Sequence, residues 1–233
     1  MPMPRRNVLR LLAVLLLAAA APLGAQTVVD QGTFQVSVRG EPAGREEFAI
    51  RQTGSGRGTE VTASGRVEVT LPGGTLELVP RLRARGLDAA PVNYQVDVGG
   101  DSPSRLLGQV GSGRFSARIV SASGEQLREY VASDRALVLD DGVAHHYYFL
   151  AQRARSGTVP VIVPRENRQA MATVSSMGEE RVTIGGTPVS LFHLVVRVPG
   201  SGERHVWVDA LNRVIRVRIP DTGYEAVRTE VPR

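Results

Sequence analysis

Neither cysteine nor lysine occurs in this chain of 233 residues. Without cysteine no disulfide can form, and no lipid can be attached by the bacterial lipoprotein route. Without lysine the lysine-dependent serine hydrolases are excluded, since their base is missing. Aromatics are scarce at 5%, with a single tryptophan, Trp207. Long apolar runs are missing too. The one stretch that comes close, Leu11 to Ala21, is too short to cross a bilayer comfortably. All 28 basic side chains are arginines, set against 23 acids, and the formal charge is +5. They are scattered among the acids, which excludes a basic nucleic-acid face.

What is present at the start is a leader. Arg5, Arg6 and Arg10 precede the apolar stretch, and small residues follow up to Ala25, the layout of a secretory signal peptide. Cleavage is expected after Ala25. Arg5-Arg6-Asn7-Val8-Leu9 also fits the loose twin-arginine pattern, so both export routes stay open. Without the leader, 25 basic and 23 acidic side chains leave a formal charge of +2. The division expected is residues 1–25 as signal peptide and 26–233 as a single antiparallel β domain, periplasmic or secreted, with no transmembrane segment in the mature chain.

From Gly32 onward the chain alternates apolar and polar residues in short runs broken by turn residues. That is the signature of an antiparallel sandwich, barrel or curved sheet. Hairpins are expected around Gly40–Gly44 and Pro72–Gly74. The clearest stretch is Val189 to Ile219, read as three strands in a meander, with Asn212 suited to a left-handed turn position. Phe192, Leu194, Val196 and Val198 share one face with Val206, Val208, Ile215, Val217 and Ile219. His193, Arg197, His205, Trp207, Asp209, Arg216 and Arg218 take the other. One helix is expected, from Asp141 to Ala154. Asp140 or Asp141 would cap it, and Arg153 and Arg155 would sit at its positive-favouring end. The fold class is therefore mainly β: a strongly curved antiparallel sheet or half-barrel with one short helix packed against it.

The segment Trp207-Val-Asp-Ala-Leu-Asn-Arg-Val-Ile-Arg resembles a hairpin of bacterial envelope proteins of the lipoprotein-localisation type (LolA/LolB-like). The early hairpin and the single mid-chain helix are similar in layout to uncharacterised periplasmic families of that superfamily. The resemblance implies a curved antiparallel sheet that binds something apolar in its hollow, without catalysis. The chain departs from those carriers in having one evident helix and no anchoring cysteine.

Candidate chemistry is sparse. His193 and His205 share a face of neighbouring strands with Asp209, and could approach a metal if the register allows. Asp221-Thr-Gly223 spells an aspartic-protease motif, but it follows Pro220 and sits near the end of the chain, where a turn is the better reading. Gly100-Asp101-Ser102 also reads as a turn. The glycine-rich loop from Thr53 to Gly58 lies between strands and precedes no helix, so no phosphate loop is present and no cofactor is expected. The helix carries Tyr147, Tyr148, Phe149 and Leu150, and with Trp207 these are the expected lining of a ligand site. The function expected is that of a non-catalytic exported envelope protein that binds a lipid-like apolar molecule or an envelope partner. The alternatives are a structural or interaction module with a filled core and, third, a metal-dependent or other hydrolase.

Overall fold

The computed structural model describes residues 26–71, 73–86, 88–132 and 136–232. The expected leader lies outside them. The strands are β1 (Thr27–Val38), β2 (Glu41–Thr53), β3 (Glu60–Leu71), β4 (Gly74–Arg85), β5 (Ala90–Gly100), β6 (Ser104–Gly111), β7 (Arg114–Ser121) and β8 (Gly124–Val131). After them come β9 (Leu137–Val138), β10 (Gly157–Val163), β11 (Arg168–Ile184), β12 (Thr187–Arg197), β13 (Glu203–Val208), β14 (Val214–Ile219) and β15 (Tyr224–Arg228). A 3-10 turn (Ala144–His146) runs into the one α-helix among the described residues, α1 (Tyr147–Arg153).

All fifteen strands join one sheet, in the order β8-β7-β6-β5-β4-β3-β2-β1-β15-β14-β13-β12-β11-β10-β9. Every pair is antiparallel except β9 with β10. The chain thus runs as a meander from β1 out to one edge, crosses to the other edge, and meanders back until β15 pairs with β1. This topology forces the sheet to roll. A flat sheet of fifteen strands would be about 67 Å wide at 4.8 Å per strand. Val131 and Leu137, at opposite edges, are separated by a connection that spans only about 20 Å when extended. Closure is made by side chains: Tyr130 of β8 donates to Asn167 Oδ1 at 2.9 Å, and Arg128 to the Pro164 carbonyl at 3.3 Å.

The same topology puts the helix inside. It lies in the crossover between parallel β9 and β10, and its aromatic sequence buries it in the hollow rather than against the outside. Tyr147, Phe149 and Leu150 are almost fully buried among Phe34, Phe48, Leu78, Val96, Leu194, Val206 and Val217. Gly65 of β3 makes room for this plug, because a Cβ there would lie 2.8 Å from His145 Cε1. The expected helix is shorter than its polar flanks suggested. Asp140 and Asp141 do not cap it; both carboxylates are drawn to arginines. The cap comes from β2 instead: Glu46, fully buried, accepts from Ala144 N at 2.7 Å and His145 N at 3.0 Å.

The closing meander follows its alternation with one correction. Leu194, Val206, Val208, Val217 and Ile219 face the central core, but Ile215 does not. The ladder between β13 and β14 slips between Trp207 and Val208, so that Val208 opposes Val214 and Ile215 turns outward. There it joins Trp207, Leu191 and Ile184 in a small second core on the outer face. The tip of the β11–β12 hairpin covers this cluster, with Gly185 against the Thr229 carbonyl. Asn212 adopts the expected left-handed conformation, φ 61°.

Candidate binding site

Every second turn of the meander falls on the same rim of the rolled sheet, where the N–H of Arg39 bonds the carbonyl of Gly223. At this rim the plug stops short of the strand ends and leaves a cavity of about 570 Å³. One wall is aliphatic: Val38 of β1, Val67 and Val69 of β3, Leu76 of β4 and Ile219 of β14. These are inward positions of alternating strands, continued past the end of the plug.

The opposite wall is charged. Arg204, an inward position of β13, is buried and splits its guanidinium between two places. Nη2 lies 3.0 Å from Asp141 Oδ1, and Nη1 lies 2.5 Å from the Ser201 carbonyl. Arg165 Nε donates to Asp140 Oδ2 at 2.8 Å, and Tyr94 donates to the same oxygen at 2.5 Å. Arg168 pairs with Glu166 at 3.2 Å. The hydrogen bond to Asp141, aided by burial, pushes Glu166 up to about 7. Burial works against Asp141 as well, but the Glu166 hydrogen bond and Arg204 outweigh it and hold Asp141 below its ordinary value. Of the two carboxyl groups, Glu166 is the one that favours its protonated form. The Tyr224 hydroxyl is buried at the cavity wall with no hydrogen-bond partner among the described residues.

The residues expected to line a ligand site are divided by the fold. Tyr147, Tyr148, Phe149 and Leu150 are all buried in the filled interior. Tyr147 stands under the cavity floor beside Arg204 and Asp141, and burial drives its hydroxyl far above the ordinary range. Trp207 is not with them. It lies on the outer face, donates to Glu180 Oε2 at 2.7 Å, and is sandwiched between His193 and Arg216.

His193 and His205 do meet, with Nε2 of one 2.9 Å from Nδ1 of the other. Their outer nitrogens face Glu180 at 3.4 Å and Glu203 at 3.0 Å. Asp209 is turned away from the pair. It accepts from Leu211 N and Arg213 N at 2.9 and 2.8 Å, and closes the β13–β14 turn. Among the described residues no group of three or more histidine and acidic side chains is placed to hold a metal. Asp221-Thr-Gly223 is the β14–β15 turn, with Gly223 at φ 70°.

Arg204, Asp141 and Glu166 of the site, and Glu46 beneath the helix, were not among the expected residues. Two of them carried a signal: Glu46 and Arg204 occupy the inward phase of apolar strands, where a charge is costly unless paired.

No family model and no curated protein sequence matches the chain. Among solved structures it is similar to a beta-barrel-like protein of domain of unknown function DUF1849 from Brucella abortus, at a TM-score of 0.54 and 10% identity, over 84% of this chain and 94% of that one. A DUF1089 family protein from Pseudomonas aeruginosa aligns at a TM-score of 0.43 and 15% identity, over 76% and 90%. The first likeness defines the class as β-barrel-like. At that identity it speaks for the fold alone.

Proposed function

We propose that this is an exported, non-catalytic envelope protein that binds a lipid-like amphiphile at the rim of its rolled sheet. The observation that carries the reading is the rim cavity. Its volume of about 570 Å³ falls in the ordinary range for small-molecule sites, about 300–1,000 Å³. Its aliphatic wall suits an acyl chain, and its charged wall, which includes Arg165, marks the side on which a polar end would leave it. The helix aromatics are the support of this site and not its lining, since they fill the hollow where the LolA/LolB-like resemblance would put a ligand. The export part rests on the leader: material recovered outside the cytoplasm should begin near Gln26, and a chain still starting at Met1 would defeat it.

The binding test is native mass spectrometry of the mature protein for co-purified lipid, followed by calorimetric titration with a fatty-acid series. Saturable binding is expected, and Leu76→Trp should abolish it by filling the cavity from its partly exposed wall. The filled interior favours a second reading, a structural or interaction module. Absence of saturable binding to every member of the series would make that the better account.

A further inference from the structure

The rim holds a second chamber of a different chemistry. It measures about 560 Å³ and lies along the turns that follow β5 and β7. Its polar lining includes Ser102, Ser104, Ser121, Ser123, Gln126 and Arg128. Ser104 and Ser121 oppose one another across β6 and β7, on inward positions at the same level as Val98. Ser121 Oγ lies 2.8 Å from Ser123 Oγ, so hydroxyls that each donate and accept stand side by side. Arg128 is held in place by the Pro164 carbonyl and by Gln126 Oε1 at 3.1 Å.

The two chambers meet. Arg165 lines both. A shallow third depression shares Leu71 and Leu76 with the aliphatic chamber, and Val98, Asp101 and Ser102 with the hydroxyl-lined one. One rim therefore presents an aliphatic compartment continuing into one where hydroxyls, an amide and a fixed arginine stand beside Val98, Leu106 and Ile119.

We infer that the ligand is a single amphiphile with a neutral polyhydroxylated head of the sugar type, its chain in the aliphatic chamber and its head among the serines. The inference rests on the binding function proposed above and specifies its ligand. The charges around this chamber balance, Arg165 against Asp140 and Arg128 against Asp101, and so offer an anionic head no net attraction. The Arg165 guanidinium is engaged by Asp140 and by the Asp141 carbonyl, Arg128 is engaged by a carbonyl and an amide, and Asp101 adds a negative charge to the lining. Sugar hydroxyls match serine and glutamine both as donors and as acceptors.

The test compares decyl maltoside, decanoate and decyl phosphocholine by calorimetry on the full mature chain, each below its micelle concentration. The maltoside is expected to bind tightest at this equal chain length. Replacing two hydroxyls, Ser104→Val with Ser121→Val, should weaken maltoside binding roughly tenfold or more, the loss of two ordinary hydrogen bonds. Decanoate binding should change less than about twofold, since no apolar contact is removed. Gln126→Ala, at an exposed position that folding tolerates, should act in the same direction. Equal affinity for the three heads, preference for phosphocholine, or a double variant that weakens maltoside and decanoate alike would overturn the head-group assignment. In those cases the aliphatic site would stand as long as Leu76→Trp removes all binding. Binding of none of the three would remove both the assignment and the proposed function.

Discussion

Removing the Glu46 carboxylate should unseat the plug. Glu46 has no exposed surface, and its two oxygens serve three groups of the segment entering α1. Ala144 N lies at 2.7 Å, His145 N at 3.0 Å and His145 Nδ1 at 2.7 Å. Each buried donor left without a partner costs about 1–3 kcal/mol. The two backbone amides cannot turn toward water, so Glu46→Ala is expected to cost about 2–6 kcal/mol. That is a large share of the roughly 5–15 kcal/mol by which a domain is stable. Glu46→Gln keeps one acceptor in place and should cost about half as much. The assay is a urea titration followed by circular dichroism, with the slope checked for constancy so that a shifted midpoint reports stability alone. A double-mutant cycle with His145→Ala should show coupling of about 0.5–3 kcal/mol. A loss below about 0.5 kcal/mol for Glu46→Ala, the range of an ordinary surface change, would refute the claim that this carboxylate anchors the plug.

Leu194→Ala, at a fully buried inward position of β12, should cost about 2–5 kcal/mol in the same titration. Tyr147→Ala should cost about 3–5 kcal/mol as a core truncation; wild-type stability with lost ligand affinity would instead return Tyr147 to the lining. Arg204→Ala leaves Asp141 without its buried partner and should cost about 3–5 kcal/mol. Glu166 is shifted up from 4.5 to about 7, so the folded state favours its protonated form. That contribution is complete below pH 4.5 and is lost as pH rises through about 7. Glu166→Gln should remove this fall in stability between about pH 5 and 8, and a wild-type slope retained by the variant would show that the proton sits elsewhere.

The strands were legible because alternation and turn residues are local signals, and the sheet is built almost wholly from sequential hairpins. β3 runs from Glu60 to Leu71, where its alternation ends at Pro72-Gly-Gly. The errors came where a partner strand decides. Ile215 continues the alternation of Val217 and Ile219, yet a slipped ladder with β13 turns it outward. Met171–Ser176 and Glu180–Ile184 alternate separately on either side of Gly178, yet they are one strand with a bulge there. The helix cap was misplaced for a related reason. Asp140 and Asp141 are good caps locally, but Arg165 of the β10–β11 turn and Arg204 of β13 compete for them, and the vacant position is filled by a glutamate about a hundred residues away.

The site was less legible than the fold because its parts are brought together only by rolling the sheet. Val69, Arg204 and Glu166 lie on three strands or turns with no sequence relation. Even so, one rule of strand phase picks out the polar half. Glu46 shares its phase with Phe48 and Ile50, Arg204 with Val206 and Val208, and Arg228 with Ala226 and Tyr224. Each is a charge on a face that must be buried, and each is buried. Such a charge requires hydrogen-bond or ion partners in the interior. Glu46 finds His145, Arg204 finds Asp141, and Arg228 finds Asp30 at 2.5 Å. The Arg228 pair closes the seam between β15 and β1, with the guanidinium also over Phe34 and Phe48. The inward charges thus fall into two uses. Glu46 is enclosed and Arg228 fastens the seam beside a largely polar depression, whereas Arg204 opens on a cavity with an aliphatic wall. It is the aliphatic wall facing the Arg204 pair, and not the presence of charge, that separates a binding position from a structural one.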